Sequence, residues 1–215
     1  MVSGSTLGRN GVNISQSYGH VLTRVSMRTR ATIAIAVGVL CAVPVLSAVE
    51  DVTLWTALRS GGHVALLRHG IAPGTGDPPE FALRDCQTQR NLSDEGRDQA
   101  RRIGERFHAH GIHTAQVFSS QWCRCLDTAR LIELGPVYEL PLLNSFFRRY
   151  ERQKQQTQAL RQWLAEQVLE GPLILVTHQV NITALTNIYP ASGELVVVRL
   201  SDTGDVSVVG TINTD

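Results

Sequence analysis

The feature that most constrains the fold is the alternation of short apolar runs with longer amphipathic segments. His63–Leu67 and Leu173–Thr177 are almost continuously apolar and have the length of strands that are buried on both faces. Residues 151–169 form the clearest amphipathic segment, which carries apolar side chains at helical spacing at Leu160, Trp163, Leu164 and Val168. Strands separated by helices indicate βαβ units, and the pattern therefore predicts an α/β fold.

The remaining segments extend this alternation along the chain. Further helices are predicted over Thr53–Arg59, from an N-cap at Ser93 to His110–Gly111, over Trp122–Leu134 and over Gln179–Ile188. Further strands are predicted over Ala115–Ser119, Pro136–Leu140, Leu195–Leu200 and Val206–Thr211. We expect a three-layer sandwich, in which a mostly parallel sheet has helices on both faces and the last two strands form a mixed edge.

The charges are unevenly distributed. Four of the 20 basic side chains and none of the 19 acidic ones lie in residues 1–48, so that 16 basic and 19 acidic side chains remain in residues 49–215. This balance gives no support to nucleic-acid binding through a global positive field. An anion site in this protein must therefore be local.

The N-terminal region resembles an export signal. Residues 27–48 combine a basic start, an apolar run over 31–45 and small residues at Leu46-Ser47-Ala48, which is the pattern of a signal peptide cleaved after Ala48. The alternative is an uncleaved membrane anchor, because the uncharged run has 18 residues. Residues 1–26 are a polar extension or precede the true start, and residues 49–215 are predicted to form a single domain in the periplasm or outside the cell.

The cysteines allow one bridge in that domain. Cys86, Cys123 and Cys125 remain after cleavage, and an odd number of cysteines permits at most one intramolecular disulfide. Cys123 and Cys125 are too close in sequence to pair comfortably, so Cys86 would pair with one of them. Three buried thiols are the alternative.

Polar residues follow three of the predicted strands. Arg68 and His69 come after the first, Ser120 to Arg124 after the second, and His178 directly after Thr177. Ligands of open α/β sheets bind outside the carboxyl ends of the strands, so these segments can converge on one crevice. Two guanidinium groups and two imidazoles suit a tetrahedral dianion, which predicts a phosphoryl group as the ligand.

One of the two histidines could also form a bond. A neutral imidazole is a nucleophile at phosphorus, and two nearby arginines favour the neutral form by charge repulsion. The sequence has no HExxH motif and no carboxylate cluster suited to magnesium, so we expect no metal and no other cofactor.

Three motifs together resemble one known family. LLRHG around His69, SSQWCRCLDTA around Arg124 and LVTHQ around His178 are similar to the histidine phosphatase superfamily, whose fold phosphoglycerate mutases and many acid phosphatases share. The resemblance implies that His69 is the phosphorylated nucleophile and that Arg68, Arg124 and His178 form the phosphate pocket. Further candidates for substrate binding are Gly70, Ser120, Gln179 and Asn181.

Two departures leave the general acid unassigned. The mutase-like branch has a glutamate near the position of Asn144, and the other large branch has an aspartate where this chain has Gln179. Asp77, Glu80 and Asp85 in the long loop over residues 71–90 are candidates by proximity, and solvent is another. Loops of this length inside a compact domain are usually functional, so we expect this one to shape substrate selection.

The resulting hypothesis is an exported bacterial phosphomonoesterase of the histidine acid phosphatase type, which acts through a phosphohistidine on His69. Its substrate would be a small phosphomonoester or a phosphorylated glycan. The alternative is a non-catalytic phosphate-binding module of the same fold, and a mutase is disfavoured by the export signal and by Asn144.

Overall fold

The computed structural model describes residues 44–201 and 205–214, with side chains described from residue 52 onward. The predicted extension over residues 1–26 and the predicted signal peptide up to residue 43 lie outside the described residues. Within them, no helix is long and apolar enough to cross a membrane.

The described part of the chain alternates helices and strands as the apolar pattern predicts. The helices are α1 (Pro44–Arg59), α2 (Asp94–Ala109), α3 (Cys123–Leu131), α4 (Gln153–Ala165) and α5 (Gln179–Thr186). The strands are β1 (His63–Arg68), β2 (Gln116–Ser119), β3 (Val137–Glu139), β4 (Leu173–Thr177), β5 (Leu195–Leu200) and β6 (Val206–Ile212). Single 3-10 turns occur at Cys86–Thr88, Pro141–Leu143 and Tyr150–Arg152.

The strands form one six-stranded sheet in the order β3-β2-β4-β1-β5-β6. β3, β2, β4 and β1 are mutually parallel, whereas β5 pairs antiparallel with β1, and β6 pairs antiparallel with β5. The predicted α/β class, the mostly parallel sheet and the mixed edge are thus confirmed.

The connections place helices on both faces of the sheet. The chain moves toward one edge from β1 to β3 through α2 and α3, and it moves back from β3 to β4 through α4. Because parallel crossovers are right-handed, this reversal puts α4 on the opposite face from α2 and α3. One apolar core accordingly contains Trp55 and Phe107, while the other contains Leu160 and Ile182.

The two largest differences between the predicted and the observed helices are at the ends of α1 and α4. α1 begins at Pro44 instead of Thr53, and it runs through the predicted cleavage position after Ala48. α4 ends at Ala165, because the chain turns there to enter β4, and the side chain of Val168 is 73% exposed instead of buried.

The long loop packs tightly against α2. Ser93 caps α2 as predicted, since its hydroxyl accepts a hydrogen bond from the main-chain N–H of Gly96. A Cβ on Gly96 would lie 2.0 Å from the carbonyl oxygen of Ile71, so only glycine allows this approach. The contact fixes the start of the loop beside the end of β1.

Candidate active site

The register of the central strands brings three polar segments to one edge of the sheet. Arg68 is level with Thr177 across β1 and β4, and Ser119 is level with Val176 across β2 and β4. The residues that follow these strands therefore emerge side by side, as the sequence predicts. His69, Ser120 and His178 are all buried at this edge.

His69 is held as a neutral imidazole whose Nε2 is unprotonated. Its Nδ1 lies 2.8 Å from the carbonyl oxygen of Gly70, which can only accept, so Nδ1 carries the proton. The N–H of Gly70 in turn donates to Thr128 Oγ1 at 3.0 Å, which fixes that carbonyl. Burial, and then the positive charge of Arg124, lower the pKa of His69 well below its ordinary value. Nε2 therefore keeps its lone pair.

All five N–H groups of the buried Arg124 guanidinium have acceptors. Nε donates to His69 Nε2 at 3.2 Å, and Nη2 faces His178 Nδ1 at 3.4 Å. Nη1 donates to the carbonyl oxygen of Arg90 at 3.1 Å. The last two hydrogens go to Asp77, from Nη1 to Oδ1 at 2.7 Å and from Nη2 to Oδ2 at 3.2 Å. A carboxylate thus occupies the fork that would bind a phosphoryl group.

His178 is the second buried imidazole of the site. Since its Nδ1 accepts from Arg124, its Nε2 carries the proton and donates to Ser120 Oγ at 2.9 Å. Burial, and then the charge of Arg124, lower the pKa of His178 well below its ordinary value. The rings of His69 and His178 meet edge to face, with centroids 5.4 Å apart.

Two further arginines line the site. Arg68 donates from Nη1 to the carbonyl oxygen of Pro190 at 2.8 Å, and its buried Nε–H has no partner among the described residues. Arg90, which the sequence interpretation missed, donates to the carbonyl oxygens of Gly76 and Ala72. Burial, and then the charge of Arg124, lower the pKa of both arginines. No local sequence pattern pointed to Arg90, because its place in the site depends on the path of the loop that precedes it.

These groups line a cavity of about 440 Å³. Its base contains Arg68, His69, Arg124 and His178, and its walls are partly aromatic. The aromatic residues are Phe81, Trp122 and Phe147, and the cationic rim is formed by Arg148, Arg149 and Arg152. The arrangement combines a nucleophile with several cations, which is suited to bonding and stabilising a phosphoryl group.

The sequence of this region matches the model of a known protein family. The model of the histidine phosphatase superfamily (branch 1) matches residues 64–167. This range begins in β1 and contains Arg68, His69 and Arg124 at the positions described above.

Residues 64–167 of the chain belong to the histidine phosphatase superfamily. The resemblance to this superfamily is thus confirmed, and it supports an enzyme of the phosphatase or mutase type. No curated protein sequence matches the chain.

Solved structures share this superfamily fold. A phosphoserine phosphatase mutant from Entamoeba histolytica, in complex with phosphoserine, has 14% sequence identity and a TM-score of 0.51, over 71% of this chain and 98% of that chain. The protein of an open reading frame of Mycobacterium tuberculosis has 17% identity and a TM-score of 0.51, over 68% of this chain and 94% of that chain. At these identities the similarity shows the fold.

Of the four residues predicted to bind substrate, one lines the cavity and three lie behind it. Gln179 lines the cavity. Ser120 lies behind His178, and its hydroxyl is 3.2 Å from Asn144 Oδ1. Asn181 donates from Nδ2 to the carbonyl oxygen of Asn144 at 3.0 Å, and Gly70 orients His69. Ser120, Asn181 and Gly70 therefore support the site from behind, and whether they contact substrate stays a prediction.

The three loop carboxylates that were candidates for the general acid also differ in whether they line the cavity. Asp77 lines the cavity, whereas Glu80 and Asp85 are exposed and do not. Asp85 instead caps the 3-10 turn by accepting from the N–H of Gln87 at 3.0 Å. Burial alone would raise the pKa of Asp77, but the hydrogen bonds and charge of Arg124 hold that pKa below its ordinary value.

A disulfide joins the loop to α3. Cys86 pairs with Cys123, which is one of the two pairings left open by the sequence. Cys125 is a buried free thiol whose Sγ lies 3.5 Å from His178 Nε2, and burial raises its pKa to about 12. In the described ranges, no group of three or more His, Cys, Asp or Glu residues could hold a metal ion.

Proposed function

We propose that the protein is a phosphomonoesterase that transfers the phosphoryl group of its substrate to His69. The observation that carries this proposal is the tautomer of His69. Its Nδ1–H is committed to the carbonyl oxygen of Gly70, which leaves an unprotonated Nε2 at the base of a cationic cavity. A neutral imidazole with an unprotonated Nε2 beside several arginines supports attack on a phosphoryl group that those arginines bind.

The reaction then has two balanced steps. In the first, the lone pair of Nε2 forms a bond to phosphorus while the bond from phosphorus to the ester oxygen breaks, and the leaving alkoxide takes up a proton. In the second, water attacks phosphorus, the bond to Nε2 breaks and inorganic phosphate departs with the neutral imidazole restored. Arg68, Arg90 and Arg124 stabilise the charge of the phosphoryl oxygens in both steps.

A small phosphorylated molecule is the proposed substrate. The cavity of about 440 Å³ suits a small ligand, and its rim of Arg148, Arg149 and Arg152 favours one that carries a second anionic group. The Entamoeba histolytica phosphoserine phosphatase of the same fold was solved with phosphoserine and also, with a TM-score of 0.50, with 3-phosphoglyceric acid. A phosphorylated glycan of the cell envelope is a second substrate class that agrees with export.

Metal independence and export belong to the same proposal. The cavity contains three arginines near the nucleophile, Arg68, Arg90 and Arg124, that can neutralise the phosphoryl charge, so we expect full activity in the presence of EDTA. Residues 27–48 direct export to the periplasm or beyond, with an N-terminal membrane anchor as the alternative. The N-terminal sequence of the mature protein, isolated from cell fractions, distinguishes the two.

Trapping of the phosphoenzyme tests the proposed function. We expect an acid-labile phosphoryl group to accumulate when wild-type protein is quenched during turnover of p-nitrophenyl phosphate, and His69→Ala to lose both the label and the activity. His113→Ala, which changes an exposed histidine outside the cavity, is the matched control and keeps both. Undiminished turnover in His69→Ala would refute the mechanism, and phosphate binding without turnover in the wild type would favour the non-catalytic module.

A further inference from the structure

Asp77 occupies the position on Arg124 where a substrate phosphoryl group is expected. Its two carboxylate oxygens accept from Nη1 and Nη2 of Arg124, which is the fork-to-fork geometry that guanidinium also forms with phosphate. The other three N–H groups of Arg124 point to His69, His178 and the carbonyl oxygen of Arg90. A phosphoryl group can therefore use the fork only after Asp77 has left it.

The segment that carries Asp77 follows two glycines in the left-handed region. Gly74 and Gly76 adopt φ values of 89° and 76°, and a Cβ on Gly74 would meet only a side-chain carbon of Arg90. The far end of the loop is anchored by the Cys86–Cys123 disulfide. Displacement of Asp77 therefore involves the backbone around these glycines and the contacts of Arg90 with Gly76 and Asp77, whereas the disulfide holds the far end of the loop to α3.

Asp77 is also the one acidic residue among the described residues that line the cavity. Asn144, at the position of the glutamate in the mutase-like branch, uses its side chain to hold Ser120 and Gln121. Gln179, at the position of the aspartate in the other branch, has no ionisable proton. The cavity therefore offers a single carboxyl group that could give a proton to a leaving oxygen.

We propose that Asp77 is the proton donor of the reaction, which the incoming phosphoryl group displaces from Arg124 and thereby places beside the leaving oxygen. This inference rests on the proposed phosphomonoesterase function. The carboxyl proton goes to the leaving alkoxide as the ester bond breaks, and Asp77 becomes a carboxylate. Asp77 takes up from solvent the proton that it donates, as the substrate displaces it from Arg124. In the second step its carboxylate takes a proton from the attacking water, and it returns that proton to solvent when it pairs with Arg124 again.

Displacement also changes which protonation state of Asp77 is favoured. In the free protein its carboxylate accepts hydrogen bonds from Arg124, from the indole N–H of Trp122 at 2.9 Å and from the main-chain N–H of Arg90 at 3.2 Å. After displacement the carboxyl loses the two bonds to Arg124 and faces a phosphoryl dianion. Like charge favours the protonated form, although Arg90 and the rim residue Arg148 oppose this effect. Substrate binding thus favours the protonated form of Asp77, which the first step requires.

Dependence on the leaving group tests the proposal. Asp77→Asn keeps the size of the side chain and one acceptor oxygen, but it has no acidic proton to give. We expect its kcat for an alkyl phosphate such as glycerol phosphate to fall by about 10²- to 10⁴-fold, the usual contribution of a general acid. Its kcat for p-nitrophenyl phosphate, whose leaving group needs no protonation, should stay within about threefold of the wild-type value. Asp77→Glu should restore part of the activity on glycerol phosphate.

The controls separate this role from a structural one. Glu80→Gln removes an exposed carboxylate from the same loop and should leave both substrates unaffected. Inorganic phosphate should inhibit Asp77→Asn at least as strongly as the wild type, because the fork of Arg124 is less tightly occupied.

Three results would overturn the proposal. Equal losses for both substrates would show that Asp77 only positions Arg124, and unchanged kcat for both would show that the proton comes from elsewhere. A wild-type protein that forms no phosphoenzyme and turns over neither substrate would refute the proposed function itself, and the inference with it.

Discussion

The disulfide between Cys86 and Cys123 should stabilise the folded protein by a predictable amount. The two cysteines are separated by 37 residues, and the chain-entropy model gives about 3.9 kcal/mol for closing a loop of that size in the unfolded chain. Cys86 is exposed, so Cys86→Ser removes the bond without opening a cavity in the core. We expect the free energy of unfolding in urea to fall by about 3–4 kcal/mol, and Tm to fall by about 8–15 °C for a domain of this size.

Chemical reduction provides the matched control. A phosphine reductant should destabilise the wild type to the level of Cys86→Ser and should leave the variant unchanged, since the variant has no bond between these residues to reduce. A loss below about 1 kcal/mol would refute the reasoning, because the predicted entropy term would then be absent. A further loss when the variant is reduced would show that another disulfide contributes.

Three further predictions concern the charges of the site. The pKa values of His69 and His178 are lowered in the folded protein, so their imidazoles bind protons in the unfolded state first as the pH falls. The free energy of unfolding measured in urea should therefore drop by about 2–3 kcal/mol between about pH 7.5 and about pH 5.5. The drop should be smaller in a His178→Gln variant. Arg124→Lys keeps the charge but loses the planar fork, so kcat/KM for p-nitrophenyl phosphate should fall by about 10²- to 10³-fold, and a smaller loss would argue against a role for the fork. The double variant Arg149→Gln, Arg152→Gln should raise KM for a doubly anionic phosphomonoester by about 2- to 5-fold per residue at low salt and should leave kcat unchanged. An equal rise in KM for p-nitrophenyl phosphate would contradict a rim that selects a second anionic group.

The sequence predicted the parts of the fold that depend on local patterns. The strands β1 and β4 were recognisable because both faces are buried, which makes their apolar runs continuous. The predictions were wrong where tertiary contacts determine the end of an element. α4 ends at Ala165 because the chain must return to the sheet, and no local signal at Val168 marks that turn.

The candidate site was predictable where it follows the strands. Arg68 ends β1, and His69 and His178 come directly after β1 and β4, so the parallel register alone brings these residues together. Arg90 and the contact of Asp77 with Arg124 were not predictable, because they depend on the path of a loop without periodicity.

The choice of cysteine partner shows the same limit. Cys123 and Cys125 are both near the start of α3, and two residues along a helix turn the side chain by about 200°. Cys123 consequently reaches the loop, whereas Cys125 faces the apolar core beneath His178. The spacing in the sequence could not decide which of them pairs with Cys86.

The buried thiol of Cys125 can report local opening of the structure around it. With a pKa of about 12 and no exposed surface, it reacts with an alkylating reagent only during brief openings of the region beneath His178. The alkylation rate of the peptide that contains Cys125, followed by mass spectrometry, therefore measures how often this layer separates from the sheet. A phosphate analogue that binds above His178 should slow that rate, so occupancy of the cavity can be measured without any catalytic turnover.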